Sequence, residues 1–310
     1  MSLSARKSAI LAKIETLYGT DSIPTGAANA MLVENLNVTP LRQEMVERKI
    51  IQGYFGGRQS FEAGAVVEVS FDVEVAGSGA AGTAPAYGPL LRMCGLSETI
   101  VPATSVAYKP ISASFEAGTI YFYADGVLHK ALGARGSVSL KTTAKNLPAF
   151  SFKFTGLYAP VSDVAMPTLA LTAFQAPVPV NNANTSGFSL AGYAGVLSDF
   201  SMDMANTVVH RVLIGNDSIM VTDRNVTGKV VIEAVTTATK DFYSNVKAST
   251  LNAFNLLHGT VAGNKVQIAS STVQLLNPSY SDMDGIRMLN LDMKFIPSTA
   301  GNDEFTITLS

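Results

Sequence analysis

The sequence predicts a mainly β protein built from two similar tandem units, each combining strands with a short helix. Three observations carry this. Val66 to Val75 (VVEVSFDVEV) alternates, with Val67, Val69, Phe71, Val73 and Val75 on one face and Glu68, Ser70, Asp72 and Glu74 on the other. Ile120 to Leu128 (IYFYADGVL) reads as a hairpin whose Asp125-Gly126 suits a type I′ turn. The order of signals in the first half then recurs in the second.

Along the chain, residues 3–17 (LSARKSAILAKIETL) predict a helix with Ile10, Leu11, Ile14 and Leu17 on one face. Tyr18 to Ala30, rich in Gly, Thr, Pro and Ala, reads as an extended arm, so residues 1–33 form an N-terminal helix and arm. The first unit spans 34–158. Its hairpin at Asp125-Gly126 continues into Ser137 to Thr143 and Pro148 to Tyr158, where Phe150, Phe152 and Phe154 alternate with Ser151, Lys153 and Thr155. Residues 159–187 predict a linker, because Pro160, Pro167, Pro177 and Pro179 interrupt any pattern, although Thr168 to Phe174 could pair as a strand.

The second unit spans 188–310 and follows the order of the first. Leu36 to Lys49 matches Phe200 to Ile214, and the Gly-led strand at Gly64 matches that at Gly228. The helix expected at Tyr87 to Leu96 matches one at Ser249 to His258, and Phe150 to Phe154 (FSFKF) matches Leu291 to Phe295 (LDMKF).

Composition narrows the function classes. Of 310 residues, 47% are hydrophobic and only 15% charged, against roughly 25% charged in an ordinary soluble domain. Mean hydropathy is +0.25, yet no run approaches the roughly 18 apolar residues of a membrane helix. Such a chain is expected to bury surface against other chains. A net charge of -2 with scattered Lys and Arg argues against tight binding of phosphate backbones. Met1 to Tyr18 does not read as a secretory signal, because Arg6, Lys7, Lys13 and Glu15 interrupt it. The single cysteine, Cys94, excludes an intrachain disulfide framework and is expected to be a small buried residue.

The search for chemistry yields no catalytic, cofactor or metal residues. Gly77 to Gly82 (GSGAAG) fits the dinucleotide pattern, but the preceding strand has a charged face and Pro85 and Pro89 forbid a helix in time; a flexible loop is expected. His129, His210 and His258 lie far apart without ligand-spaced partners and read as surface or interface residues. Glu68, Asp72 and Glu74 share one strand face, whereas a catalytic carboxylate pair opposes across a cleft, so a solvated face is the plain reading.

Three segments resemble the major tail tube proteins of long-tailed, siphovirus-type bacteriophages. They are Asp125 to Leu140 (DGVLHKALGARGSVSL) with Leu147 to Gly156 (LPAFSFKFTG), Ala84 to Leu96 (APAYGPLLRMCGL), and Leu11 to Leu41 as the arm entering the first strand. Much of the first half is covered; the second rests on internal similarity. The resemblance implies two tandem tail-tube-type β-sandwich or barrel domains, each with a short flanking helix, and no enzymatic activity or cofactor. Their strands would join into a continuous inner barrel within rings, and the rings would stack into a DNA conduit. Family members with one tube domain form hexameric rings, so two domains imply a homotrimer. Implied partners are the tape measure, tail terminator and distal tail proteins, with transient passage of DNA, in a virion tail assembled in the host cytoplasm.

Two sets of residues are candidates for that role. The loops Ile51 to Ala63 and Gly215 to Thr227 occupy equivalent places and are expected to make ring-to-ring contacts, through Tyr54, Phe55 and Arg58 and through Asp217, Met220 and Arg224. Glu68, Asp72 and Glu74 are expected to line the lumen, where acidic groups repel DNA; the competing placement is the tube exterior. The alternatives are a tube of a contractile injection or type VI-like system, usually built from shorter single-domain subunits, and a β-sandwich binding module. The latter would want surface aromatics, yet Trp is absent and the tyrosines are dispersed.

Overall fold

A computed structural model of the chain describes residues 3–310. The first half contains β1 (Ser8–Ile14), α1 (Gly26–Asn29), β2 (Ala30–Met31), β3 (Glu34–Glu47), β4 (Ser60–Glu74) and α2 (Gly88–Met93). These are followed by β5 (Leu96–Val101), β6 (Ser105–Pro110), β7 (Gly118–Ala124), β8 (Val127–Thr143) and β9 (Ala149–Asp163). The second half contains β10 (Ser189–Leu190), β11 (Leu197–Asp203), β12 (Asn206–Leu213), β13 (Asn216–Arg224), β14 (Thr227–Glu233) and α3 (Phe242–Lys247). It ends with β15 (Leu251–His258), β16 (Val266–Met283), β17 (Ile286–Phe295) and β18 (Thr306–Leu309). The fold is mainly β, as expected, with short helices only.

Sixteen strands form one antiparallel network; β12 and β13 form a separate two-stranded ribbon. Its backbone is an eight-stranded wall in the order β3-β4-β9-β8-β11-β14-β17-β16, four strands from each half. The halves repeat one topology. β4 lies between β3 and β9, and β9 leads to β8 and β7; likewise β14 lies between β11 and β17, and β17 leads to β16 and β15. Pairing fixes the equivalence more sharply than sequence does. With Phe150 to Phe154 matched to Leu291 to Phe295, Val73 pairs with Phe150 and Val230 with Leu291, so Phe71 corresponds to Gly228. The match of Gly64 with Gly228 is therefore corrected: a short glycine-led similarity carries no register, whereas a hydrogen-bonded ladder does.

One face of the wall is the core. Phe71, Phe150, Phe152 and Phe154 are buried in contact, with Phe152 and Phe154 stacked at 5.8 Å between centroids, and Phe200 stacks on Phe254 at 4.5 Å. Burying each such side chain contributes about 1.5–3 kcal/mol. Cys94 is buried in the same core, as expected.

Several expectations are corrected. Residues 8–14 form strand β1, not a helix, pairing with β7 along its whole length. The short apolar run Ala9 to Ala12 is buried on both faces, and helical spacing in so brief a run cannot be told from a buried strand. The second helix is α3, capped by Asp241 accepting from the Ser244 amide at 2.9 Å, and 251–258 is strand β15. Residues 159–163 extend β9, and 168–174 is not a strand, although the Ala170 amide donates to Gly26. His258 is 3% exposed rather than superficial. Its Nε2 donates to the Val178 carbonyl and its Nδ1 meets the Thr185 hydroxyl, so a neutral ring ties 178–185 to β15.

The glycine run 77–82 is a packing joint, not a flexible loop. The Gly77 amide donates to Asn264 Oδ1, and the Gly79 amide to the Gly263 carbonyl at 3.0 Å, joining the two halves. A Cβ on Gly77 would lie 2.0 Å from the Gly263 oxygen. Gly77→Ala is therefore expected to lower stability by about 1–3 kcal/mol through backbone displacement. A fall in the urea midpoint without loss of slope checks this; an unchanged midpoint refutes it.

Candidate functional site

The second face of the wall is polar in both halves, and in the first half the β12–β13 ribbon lies against part of it. Glu68, Ser70 and Asp72 of β4 pair with Thr155, Lys153 and Ser151 of β9, which pair onward with Arg135, Ser137 and Ser139 of β8. Ser139 and Lys141 face Asp203 and Ser201 of β11; those meet Thr227 and Lys229 of β14, and Lys229 meets Asp292 of β17. None of these side chains belongs to the apolar core, because strict alternation sends the neighbouring residues inward. The face carries Glu68, Asp72, Glu74, Asp199, Asp203, Glu233 and Asp292 against Arg135, Lys141, Lys153, Lys229 and Lys294, with Glu34 and Arg42 on its β3 edge, a mixed field with a slight acidic excess. Arg42 lies 2.9 Å from Glu68, and Asn35 donates to Asp72 at 2.8 Å. Burial pushes the Glu74 carboxyl above its usual range, and the Glu34 charge adds to this.

The wall has one internal seam and two open edges. At the seam, Ser139 to Thr143 of β8 pair with Asp199 to Asp203 of β11. Upstream, the same side of β8 pairs with β7 instead, and the changeover coincides with a register shift around Gly133. Among the described residues β3 pairs only with β4, and β16 loses β15 beyond Gln274. The outer side of β3 and the stretch 276–283 of β16 are thus open. Lys141 of β8 corresponds through its β9 partner to Ser279 of β16, and Ser139 to Leu276. Asp203 of β11 corresponds through β14 and β4 to Asn37 of β3. The two open edges are therefore the counterparts of the two that meet at the seam.

The six loop residues singled out from sequence are not brought together. Tyr54 and Phe55 stand at the free tip of the β3–β4 loop, 71% and 105% exposed. Arg58 turns back into that loop, donating to the Gly56 carbonyl at 2.6 Å and to Ile50 and Gly57 at 3.5 Å. Gly215 to Thr227 is corrected from a loop to strand β13 with flanking residues, because Asn216 to Arg224 pair with β12. Asp217 accepts from His210 Nε2 at 2.7 Å, and Met220 is half-buried in the ribbon. Arg224 points inward: it donates to Glu304 at 2.7–2.8 Å, to Asn302 and to the Ile111 carbonyl, so it clamps the C-terminal segment.

Contacts between distant segments had no sequence signal. The His210 ring packs where a Cβ on Gly64 would lie 2.9 Å away, so the β12–β13 ribbon leans on β4. The Tyr18 hydroxyl accepts from the Ile219 amide, Arg135 donates to the Ile219 carbonyl at 2.7 Å, and the guanidinium lies over the Tyr18 ring. Buried Glu15 accepts from Thr119 and from the Gly133 and Gly19 amides at 2.7–2.8 Å.

Among the described residues no three His, Cys, Asp or Glu side chains gather as a metal site, and no helix is long and apolar enough to cross a membrane. A family model described as phage tail tube protein matches residues 5–309, and the chain belongs to that family. No curated protein matches the chain. It is thus a structural component of a phage tail.

Removing the Arg224 guanidinium leaves Glu304, whose side chain is 6% exposed, without its cation. Arg224→Ala is expected to cost about 3–5 kcal/mol. Denaturant unfolding measures it, and a loss below about 1 kcal/mol would contradict the clamp.

Proposed function

We propose that this member of the tail tube family is the major tail tube subunit, three copies of which close into a ring that stacks with others into the DNA conduit. The observation that carries this reading is the wall, with its seam and matching open edges. An open strand edge is a row of unsatisfied donors and acceptors that pairs with a suitable partner. The seam supplies the template: β16 of one copy takes the part of β8, and β3 of the next takes the part of β11. Such head-to-tail joints generate a ring when the rotation closes. Each chain contributes the units 34–158 and 188–310, joined by 159–187, so three chains fill six equivalent positions.

The polar face of the wall is assigned to the lumen, with the core face outward. A mixed surface with a slight acidic excess holds DNA weakly, since phosphates find no cationic cluster to release their counterions. Glu68 shares its charge with Arg42, so Asp72 carries more of the repulsion than sequence alone implied. Assembly in the host cytoplasm and contacts with tape measure, terminator and distal tail proteins follow from the same reading.

Cysteines at Asn37 and Leu276 test the joint, because the seam pairing of Asp203 with Ser139 places them opposite each other between copies. Oxidised assemblies are expected to give covalent species that stop at three chains; a series reaching six, or none, sinks the trimeric ring. A triple Lys replacement of Glu68, Asp72 and Glu74 is expected to slow genome ejection, and unchanged ejection argues for the tube exterior.

A further inference from the structure

At the end of β4 farthest from the β3–β4 loop lies an apolar cup of about 200 Å³, walled by Leu32, Val33, Ala76, Tyr87 and Phe174. Its wall is fixed, since the Tyr87 hydroxyl donates to the Ala76 carbonyl at 2.7 Å. A cavity of about 150 Å³ already holds a benzene ring. Glu34 and Glu74 stand at its rim. The loop 48–59 offers the complement: it carries Arg48, Lys49 and Arg58, has no acidic residue, and presents Ile51 and Phe55 fully to solvent. Arg58 holds the loop curled by its bonds to three backbone carbonyls, so Phe55 is displayed rather than tucked in.

We propose that Phe55 of one copy seats in the Leu32–Tyr87 cup of the copy in the next ring, with the cationic loop set against Glu34 and Glu74. The proposal rests on the tube reading and names the two surfaces that would meet in stacking. Head-to-tail stacking requires complementary surfaces at opposite ends of one molecule. Loop and cup lie at the two ends of the 15-residue β4, about 50 Å apart at about 3.3 Å per residue. The equivalent hairpin of the second half turns at residues 214–215, between β12 and β13, and has no such loop. Each chain therefore supplies one such knob, and a ring of two-unit chains stacks through alternate positions.

The test uses the full chain with cysteines at Leu32 and Phe55; native Cys94 is buried. Oxidised tubes are expected to give a covalent ladder that passes beyond three chains, because the bond links rings; each single variant gives none. Tubes without a ladder, or a ladder ending at three, overturn the stacking contact and leave the tube reading intact. Wild-type protein that forms neither discs nor tubes defeats the tube reading itself. A charge exchange covers loss of assembly in the cysteine variant. Arg48→Glu with Lys49→Glu is expected to raise the critical concentration at least about tenfold, and adding Glu34→Lys with Glu74→Lys to restore it. Absence of that rescue overturns the contact.

Discussion

Strand β8 is the constraint on which the rest depends. It pairs with β9 along one side, and on the other side first with β7 and then with β11. That change of partner joins the halves in one sheet. Gly133 sits at the turn with positive φ, where a Cβ would strike the Tyr18 ring at 2.7 Å. Buried Glu15 accepts from the Gly133 amide at the same corner. A kink in a long strand exposes backbone groups, and here a side chain from the N-terminal segment satisfies one.

The wall then separates two physical roles along each strand. Inward positions supply the aromatic and aliphatic core, with Phe71, Phe150, Phe152 and Phe154 in the first half and Leu291, Met293 and Phe295 in the second. Outward positions carry Ser, Thr, Asn and charges of both signs, and only where the β12–β13 ribbon and Tyr18 meet them, as at Gly64 and Arg135, are they packed. The sparse charge of the whole chain follows from this division. Much apolar surface is buried within the chain, yet Leu32, Ile51, Tyr54, Phe55, Met283 and Ile286 stay exposed at the wall's two ends. Apolar groups gathered at the ends of a sheet suit an end-to-end assembly.

The interior polar contacts serve the geometry of this surface. Arg224 with Glu304, Tyr18 with Arg135, and His258 with Val178 each join segments far apart in sequence. They anchor the C-terminal segment, the N-terminal arm and the 178–185 segment to the sheet. The glycines at 77 and 79 achieve a similar end without side chains, by letting two loops approach at backbone distance.

Sequence by itself determined the mainly β class, the alternating faces of β4 and β9, the Asp125-Gly126 turn, the burial of Cys94 and the repeat of one unit. Each is a local matter: period-two hydrophobicity and turn chemistry act over a few residues. The turn is direct evidence of this, since Asp125 and Gly126 both adopt positive φ. Tertiary structure decided the rest. The apolar run Ala9 to Ala12 became a strand because β7 offered it a full ladder, and 251–258 did so because β16 did. Arg224 turned inward because Glu304, 80 residues away, needed a cation in a buried place. The eight-stranded wall and its two open edges exist only once β8 meets β11, and the register between distant strands is set by pairing that no short segment encodes.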